Sequence, residues 1–328
     1  MTKVAVLDDY QGVALQMADW TSLPDDVEVQ VFRERLSNAN DLVSQLMDFE
    51  IVSCMRERTP FGSDILSRLP DLRLLVTTGR GNAAIDLDAA TELGIVVCGT
   101  DGLGHPTAEL TWALILALCR KIPQEVASVR DGGWQTVVGG DLNGKTLGIL
   151  GLGRLGSRVA AVGRAFEMPL IAWSQNLTAD VAAQHGATLV SRDELFARSD
   201  VLSIHLVLSD RTRGLVGERE LGLMKPTAYL INTARGPIVD EAALLKVLQA
   251  RSIAGAGLDV FGEEPLPMGH ALSRLDNAVL TPHIGYVTVD TYKVFYGKTV
   301  EGIAAYLAGQ PTRVLNPAAL ETARGMKR

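Results

Sequence analysis

Three apolar runs in the second half of the chain each end on a polar residue of a different kind. "LINTARGPIVDEAAL" (230–244) places Arg235 just after a strand-like run and just before Gly236-Pro237. "AGLDVFGEEPL" (256–266) places Asp259 at the end of the next run, followed by Glu263, Glu264 and Pro265. "LTPHIG" (280–285) places His283 between Pro282 and Gly285, which close the run "NAVL". A histidine titrating near neutrality can take a hydroxyl proton while hydride leaves the same carbon. A carboxylate beside it raises its pKa and stabilises the imidazolium. An arginine can grip a carboxylate through two parallel hydrogen bonds and polarise the adjoining carbonyl. Taken singly, Arg235 reads as a surface ion-pair partner, Glu264 as a solvated acid and His283 as a loop histidine. Set on successive strand ends of one sheet edge, they read as acid–base machinery.

A glycine loop supplies the other half of such chemistry. "TLGILGLGRLGSRVA" (146–160) contains Gly151-x-Gly153-x-x-Gly156 after an apolar strand and at the start of a helical pattern. Gly151 permits the tight turn, Gly153 lets a pyrophosphate approach the backbone, and Gly156 allows the helix to pack close on the strand. The following strand, "PLIAW", completes the context of a dinucleotide site. An acid about 20 residues on would grip the ribose hydroxyls of NAD. Ser174 stands there, in "AWSQN", with no arginine beside it for a 2′-phosphate. Either cofactor is therefore expected to bind, with NAD the modest favourite and NADP possible. Of the remaining histidines, His185 reads as a helix C-terminus and His270 as a loop residue. His205 lies inside a strand pattern, in the core or near the cofactor, and His105 stands at a domain junction.

These residues need a scaffold of alternating strands and helices. "KVAVL", "VEVQVF", "EIVSC", "LRLLVTT" and "GIVVCG" form a first series of short β-branched runs. The apolar helix "HPTAELTWALILALCRKI" and a Gly-rich connector, "RDGGWQTVVGGDLNGK", then lead into a second series of six strand candidates beginning at "TLGILGLG". Past His283 the pattern is helical again. The pattern predicts an α/β protein with two Rossmann-like doubly wound domains, the nucleotide-binding one (105–288) inserted into a discontinuous substrate or lid domain (1–104 plus 289–328).

Composition narrows the partners. The 328 residues are 47% hydrophobic and 21% charged, with a net charge of −7, which leaves no basic stripe for nucleic acid. Cys54, Cys98 and Cys119 are far apart and form no CxxC, so they read as reduced thiols and no metal set is expected. "MTKVAVLDDY" runs straight into a strand pattern, and "LTWALILALC" (110–119) is about half what a bilayer requires. A cytoplasmic protein with no membrane partner is expected.

In these segments, "GKTLGILGLGRLGSRVA", "NTARGPIVDEAAL", "GLDVFGEEPL" and "TPHIGY", taken in order, the chain resembles the D-isomer-specific 2-hydroxyacid dehydrogenases, and within them the 3-phosphoglycerate dehydrogenase type. The resemblance covers nearly the whole chain. It implies that Arg235 binds and polarises a 2-oxo acid, that His283 is the acid/base and that Glu264 is its partner. It implies that Asp259 holds the nicotinamide carboxamide, that Arg154 and Leu155 lie beside the pyrophosphate, and that Thr233, Ala234 and Gly285 lie near the cofactor. In "TTGRGNAAID" it makes Gly81 and Asn82 the loop that binds the substrate carboxylate, and in "MRERT" it puts Arg56 near the substrate tail. It implies a homodimer joined through the nucleotide-binding domain.

The chain departs from the family pattern at Ser174, at Tyr286 and in "GTDGLGHPTAEL", and no C-terminal serine-sensing module is expected. Arg56, Arg58 and Arg80 hint at a second anionic group on the substrate, against a plain reading as surface charge. The expected reaction is hydride transfer between a D-2-hydroxy acid and a nicotinamide cofactor, most like 3-phosphoglycerate oxidation. The alternatives are glyoxylate or hydroxypyruvate reduction and, in another class, a nucleotide-sensing corepressor.

Overall fold

The computed structural model describes residues 1–36 and 38–322. Parallel β-strands flanked by helices form two compact units, residues 1–103 with 287 onward, and residues 104–286.

In the first unit β1 (Thr2–Val6), β2 (Val27–Val31), β3 (Ile51–Cys54), β4 (Leu74–Thr77) and β5 (Val96–Gly99) lie in the order β2-β1-β3-β4-β5. Every residue of β3, β4 and β5 is buried, so these strands are covered on both faces. The edge strand β2, Val-Glu-Val-Gln-Val, instead alternates half-buried valines with exposed polar side chains. Leu42, Leu46, Ile65 and Leu66 pack on one face with Ala5, Val52, Leu75 and Val97. Burying each such leucine or isoleucine contributes about 1.5–3 kcal/mol. The helix Val289–Leu307 packs on β4, burying Phe295 and Tyr296.

The second unit is a seven-stranded sheet. β6 (Leu147–Leu150), β7 (Leu170–Trp173), β8 (Thr188–Leu189), β9 (Val201–Ile204), β10 (Tyr229–Asn232), β11 (Gly255–Leu258) and β12 (Ala278–Leu280) are ordered β12-β11-β10-β9-β6-β7-β8. The chain starts in the middle, winds outward one way to β8, then returns to β9 and winds the other way. That reversal at β6/β9 is where an open sheet of this kind opens a crevice for a ligand. Helices His105–Cys119 and Arg154–Ala165 cover one face, and Arg192–Arg198, Glu218–Leu223 and Glu241–Gln249 cover the other.

Two elements differ from the sequence expectation. The two-residue strand β8 carries too few apolar residues to register as a periodic run. The helix expected over 105–122 ends at Cys119, and Lys121 takes a left-handed conformation (φ 55°) before a second helix, Ile122–Arg130. Pro123 forces the break, because its ring would collide with the Cys119 carbonyl in a continuous helix. No helix among the described residues is long and apolar enough to cross a membrane.

Candidate active site

The register of β10, β11 and β12 builds the site. Asn232, Leu258 and Leu280 lie side by side across the three strands. The residues that follow them, Thr233, Asp259 and Thr281, therefore leave the sheet at one level. From there each loop is pinned differently.

The Arg235 loop is held by Asn232, which is 1% exposed. Asn232 Oδ1 accepts from the Ala234 amide (3.0 Å), and Nδ2 donates to the Arg235 carbonyl (3.0 Å). Arg235 Nη1 in turn donates to the Ala234 carbonyl at 2.7 Å. Gly236 then passes so close to the next loop that a Cβ there would lie 2.0 Å from the Phe261 carbonyl carbon. Only glycine permits this approach, which seats the arginine loop against the acid loop. Thr233, 6% exposed, shares a hydrogen bond with the Thr111 hydroxyl (2.8 Å) on the helix His105–Cys119.

The acid and histidine loops meet directly. His283 Nδ1 lies 2.6 Å from Glu264 Oε2, and Glu264 Oε1 accepts from the Phe261 amide at 3.0 Å. His283 has φ 54°, a left-handed backbone that costs a non-glycine residue about 1–2 kcal/mol. The conformation turns the imidazole back toward Glu264, and Tyr286 packs edge-on against the ring (centroids 5.7 Å apart). Asp259, 1% exposed, accepts from the Ile284 amide and the Gly285 amide, both at 2.8 Å, and from the Thr281 hydroxyl at 2.6 Å. Thr107 closes the loop from the other side, donating to the Gly285 carbonyl at 3.0 Å.

Two carboxylates in this small region are shifted in opposite directions. Burial raises the Asp259 carboxyl above its ordinary range despite its three donors. Burial also pushes Glu264 upward, but the hydrogen bond and charge of His283, the Phe261 amide and the charge of Arg235 outweigh it and hold Glu264 low. Glu264 is thus held as a carboxylate against the His283 ring.

The glycine loop fits a dinucleotide. Gly151 sits at φ 103°, and a Cβ there would strike the His205 backbone at 2.9 Å. A Cβ at Gly156 would lie 2.2 Å from the Gly151 carbonyl oxygen, so the helix Arg154–Ala165 abuts the turn. At Gly153, by contrast, a Cβ would have nothing within 4 Å, and no side chain caps the helix N-terminus. Open space over an uncapped helix start is what a diphosphate requires. Arg154 and Leu155 open that helix. The Arg154 guanidinium would come within 3.6 Å of a Cβ at Gly104. Ser174 follows β7 directly, beside the loop, since the Gly151 amide donates to the Trp173 carbonyl (2.9 Å).

The remaining candidates fall in the first unit. Arg56 (φ 53°) donates its amide to Thr78 Oγ1 (2.9 Å), and Asn82 Nδ2 donates to the Arg56 carbonyl (2.6 Å) and to Thr77 Oγ1 (2.9 Å). Gly81 is exposed at the tip of that loop, and a Cβ there would meet nothing within 4 Å. The arginines there have acids near them: Arg56 lies 3.6 Å from Glu57, and Arg80 lies 3.4 Å from Asp101. Arg58 stacks 4.8 Å over the Tyr10 ring, and its charge lowers the buried Asp8 carboxyl against the larger upward push of burial.

The other histidines find different partners. His185 caps a helix end, and His105 is the exposed first residue of its helix. His270 Nε2 lies 3.2 Å from Glu241. His205 follows β9 rather than lying within it, shares a hydrogen bond with Ser203 (2.8 Å) and is pushed down to about 4 by burial, so its ring is neutral. Sequence reading missed Asn232, Thr107, Thr111, Thr281 and Asp8. Threonines and asparagines are common beside motifs, and their partners lie 122 to 178 residues away for Thr111 and Thr107.

Comparison with known proteins bears on the same region. Residues 112–285 match the model of the D-isomer specific 2-hydroxyacid dehydrogenase NAD binding domain. The chain is 45% identical to glyoxylate reductase of Aeropyrum pernix, over 77% of this chain and 79% of that protein. It is 38% identical to D-3-phosphoglycerate dehydrogenase of Rattus norvegicus over 80% of this chain, yet spans 50% of that longer protein. A crystal structure of phosphoglycerate oxidoreductase from Vibrio cholerae superposes with a TM-score of 0.89 at 36% identity, covering 94% of this chain and 99% of that one.

Proposed function

The chain belongs to the D-isomer specific 2-hydroxyacid dehydrogenase family, and from that premise we propose that Arg235, Glu264 and His283 carry out the proton and charge handling of its reaction. The contact that supports this most directly is His283 Nδ1 on Glu264 at 2.6 Å, within one compact unit and on the same sheet edge as Arg235. When bound, the nicotinamide supplies or accepts the hydride. Arg235 holds the substrate carboxylate and draws electron density from the 2-oxo group. With Nδ1 committed to the ionised Glu264, Nε2 of His283 is the nitrogen that delivers the proton to the carbonyl oxygen. In the reverse direction it removes the hydroxyl proton, and Glu264 stabilises the imidazolium that results. Asp259, Thr233, Ala234 and Gly285 border the nicotinamide end, while Gly151, Gly153, Arg154, Leu155, Gly156 and Ser174 border the diphosphate and ribose. With Ser174 in place of an acid, NAD is preferred only modestly over NADP.

The substrate is a small 2-hydroxy or 2-oxo acid, and Gly81, Asn82 and Arg56 of the first unit are further candidates for contact with it. One reading gives it a phosphate tail, as in 3-phosphoglycerate. A second, a short uncharged tail as in glyoxylate or hydroxypyruvate, is favoured by the acids beside Arg56, Arg58 and Arg80, which offset the field a phosphate would need. Rates with glyoxylate, hydroxypyruvate and 3-phosphohydroxypyruvate, each with NADH and NADPH, decide between the two. No turnover of any 2-oxo acid would remove the proposed activity.

The chain is also proposed to form a homodimer through the second unit. The helix Ile122–Arg130 buries none of its residues, and it exposes Ile122, Val126 and Val129 at helical spacing, with Trp134 (75% exposed) and Val138 beyond its end. A monomeric mass in sedimentation at micromolar concentration would exclude this. The free, buried cysteines Cys54, Cys98 and Cys119 support the proposal of a cytoplasmic protein. Recovery in a membrane or secreted fraction would contradict that placement.

A further inference from the structure

The loop that carries His283 is tied to the sheet at one point above all. Thr281 continues the ladder from β12, donating its amide to the Leu258 carbonyl (2.9 Å), while its hydroxyl donates to Asp259 Oδ1 at 2.6 Å. The same oxygen accepts from the Ile284 amide, and Oδ2 accepts from the Gly285 amide. The Asp259 donors therefore lie on both sides of His283 in sequence. Between them, His283 is left-handed, and its own amide turns back to the Thr281 carbonyl (3.0 Å). A carboxylate suits this place because both oxygens only accept, whereas an amide would present hydrogens to one set of donors. A threonine suits its place because the branched side chain restricts χ1 and presets the direction of the hydroxyl.

We propose that Thr281 is a positioning residue: through Asp259 it locks the 281–285 loop in the one conformation that keeps Nδ1 of His283 on Glu264. The inference rests on the acid–base reading of His283, and goes beyond it in assigning Asp259 to the loop rather than to the cofactor alone. Thr281 donates its hydroxyl to Asp259, so it acts on turnover through that carboxylate and the loop it holds. Without it, the loop retains two of the three donors to Asp259, and the strained backbone at residue 283 has a route to relax.

The test compares Thr281→Val, which keeps shape and loses the hydroxyl, with Thr281→Ser, which keeps the hydroxyl. Three quantities are read: kcat and KM for a 2-oxo acid, the Kd of NADH from fluorescence, and the imidazole N–H proton of His283 in the NMR spectrum without substrate. Loss of a hydrogen bond to a charged group predicts a fall in kcat of about tenfold to a hundredfold in Thr281→Val. KM and the NADH Kd should stay within about twofold, and the downfield N–H resonance should vanish. Thr281→Ser should restore both rate and resonance. The proposal is overturned if Thr281→Val turns over like the wild type, if Thr281→Ser is equally impaired, or if NADH binding weakens in step with kcat. Should Thr281→Val fail to fold, Thr281→Ala replaces it under the same criteria. A wild type that reduces no 2-oxo acid defeats the acid–base reading instead, and the resonance still reports on the loop.

Discussion

Arg58 and Arg235 both follow strands of a parallel sheet, and the two sheet edges treat them differently. Arg58 lies over the Tyr10 ring beside Asp8, a carboxyl that is 3% exposed and also takes the Thr59 hydroxyl at 2.9 Å. Arg235 stands in a loop fixed by Asn232 and Gly236, and its charge acts on Glu264, the acid that also takes the His283 imidazole. In the first unit an acid stands by each of the three arginines, so the local field is small. In the second one carboxylate, Glu264, answers both the imidazole of His283 and the charge of Arg235. Reactive chemistry depends less on which charged residues are present than on which of them are paired with each other.

The comparison can be broken most decisively at His283. His283→Ala should lower kcat by about a hundredfold to ten-thousandfold while NADH still binds, because a general acid–base group is lost and the glycine loop is untouched. Equal rates in stopped-flow assays of mutant and wild type would end the distinction between the two edges.

Next is the exchange of charge in the first unit. Asp8→Asn removes the acid beside Arg58, and the ratio of kcat/KM for 3-phosphohydroxypyruvate over hydroxypyruvate should rise about tenfold, the effect of one unit charge across a few ångströms of partly screened protein. An unchanged ratio would mean that Arg58 does not read the substrate tail.

The smallest effect concerns stability against acid. Glu264 is held below its ordinary value of 4.5, so its contribution is full above that pH and is lost as pH falls through the folded-state value. Asp259 has the opposite sign: its carboxyl is raised, so ionising it costs the folded state as pH rises above 3.8. Urea midpoints measured between about pH 3 and pH 7 should fall less steeply toward acid in Glu264→Gln than in the wild type. A parallel pair of curves would show that the His283 contact adds nothing to stability.

Much of this was legible in the residues. The β-branched runs marked strands because a strand buried on both faces has to be largely apolar; every residue of β3 to β6 is buried, and Ser53 and Thr77 are the polar ones in β3 and β4. Gly151, Gly153 and Gly156 marked a phosphate turn because the requirement for glycine is local. Pro123 carried the signal for the helix break, although the apolar run leading into it looked continuous. The edge strand β8 gave no signal, since two residues cannot show a period.

By itself the sequence determined where strands end, and so which residues could reach a sheet edge: Arg235, Asp259 and His283 follow from pattern and turn chemistry, while the choice of Glu264 over Glu263 came from the family resemblance. Tertiary structure decided which of those groups touch. That Asp259 turns to Thr281 and two amides, that Asn232 clasps the arginine loop, that Thr111 meets Thr233 and that Asp8 sits by Arg58 all depend on strand register and loop conformation. Hydrogen bonds form only within about 3 Å, and no spacing along a chain reveals which distant segments will come that close once the sheet is assembled.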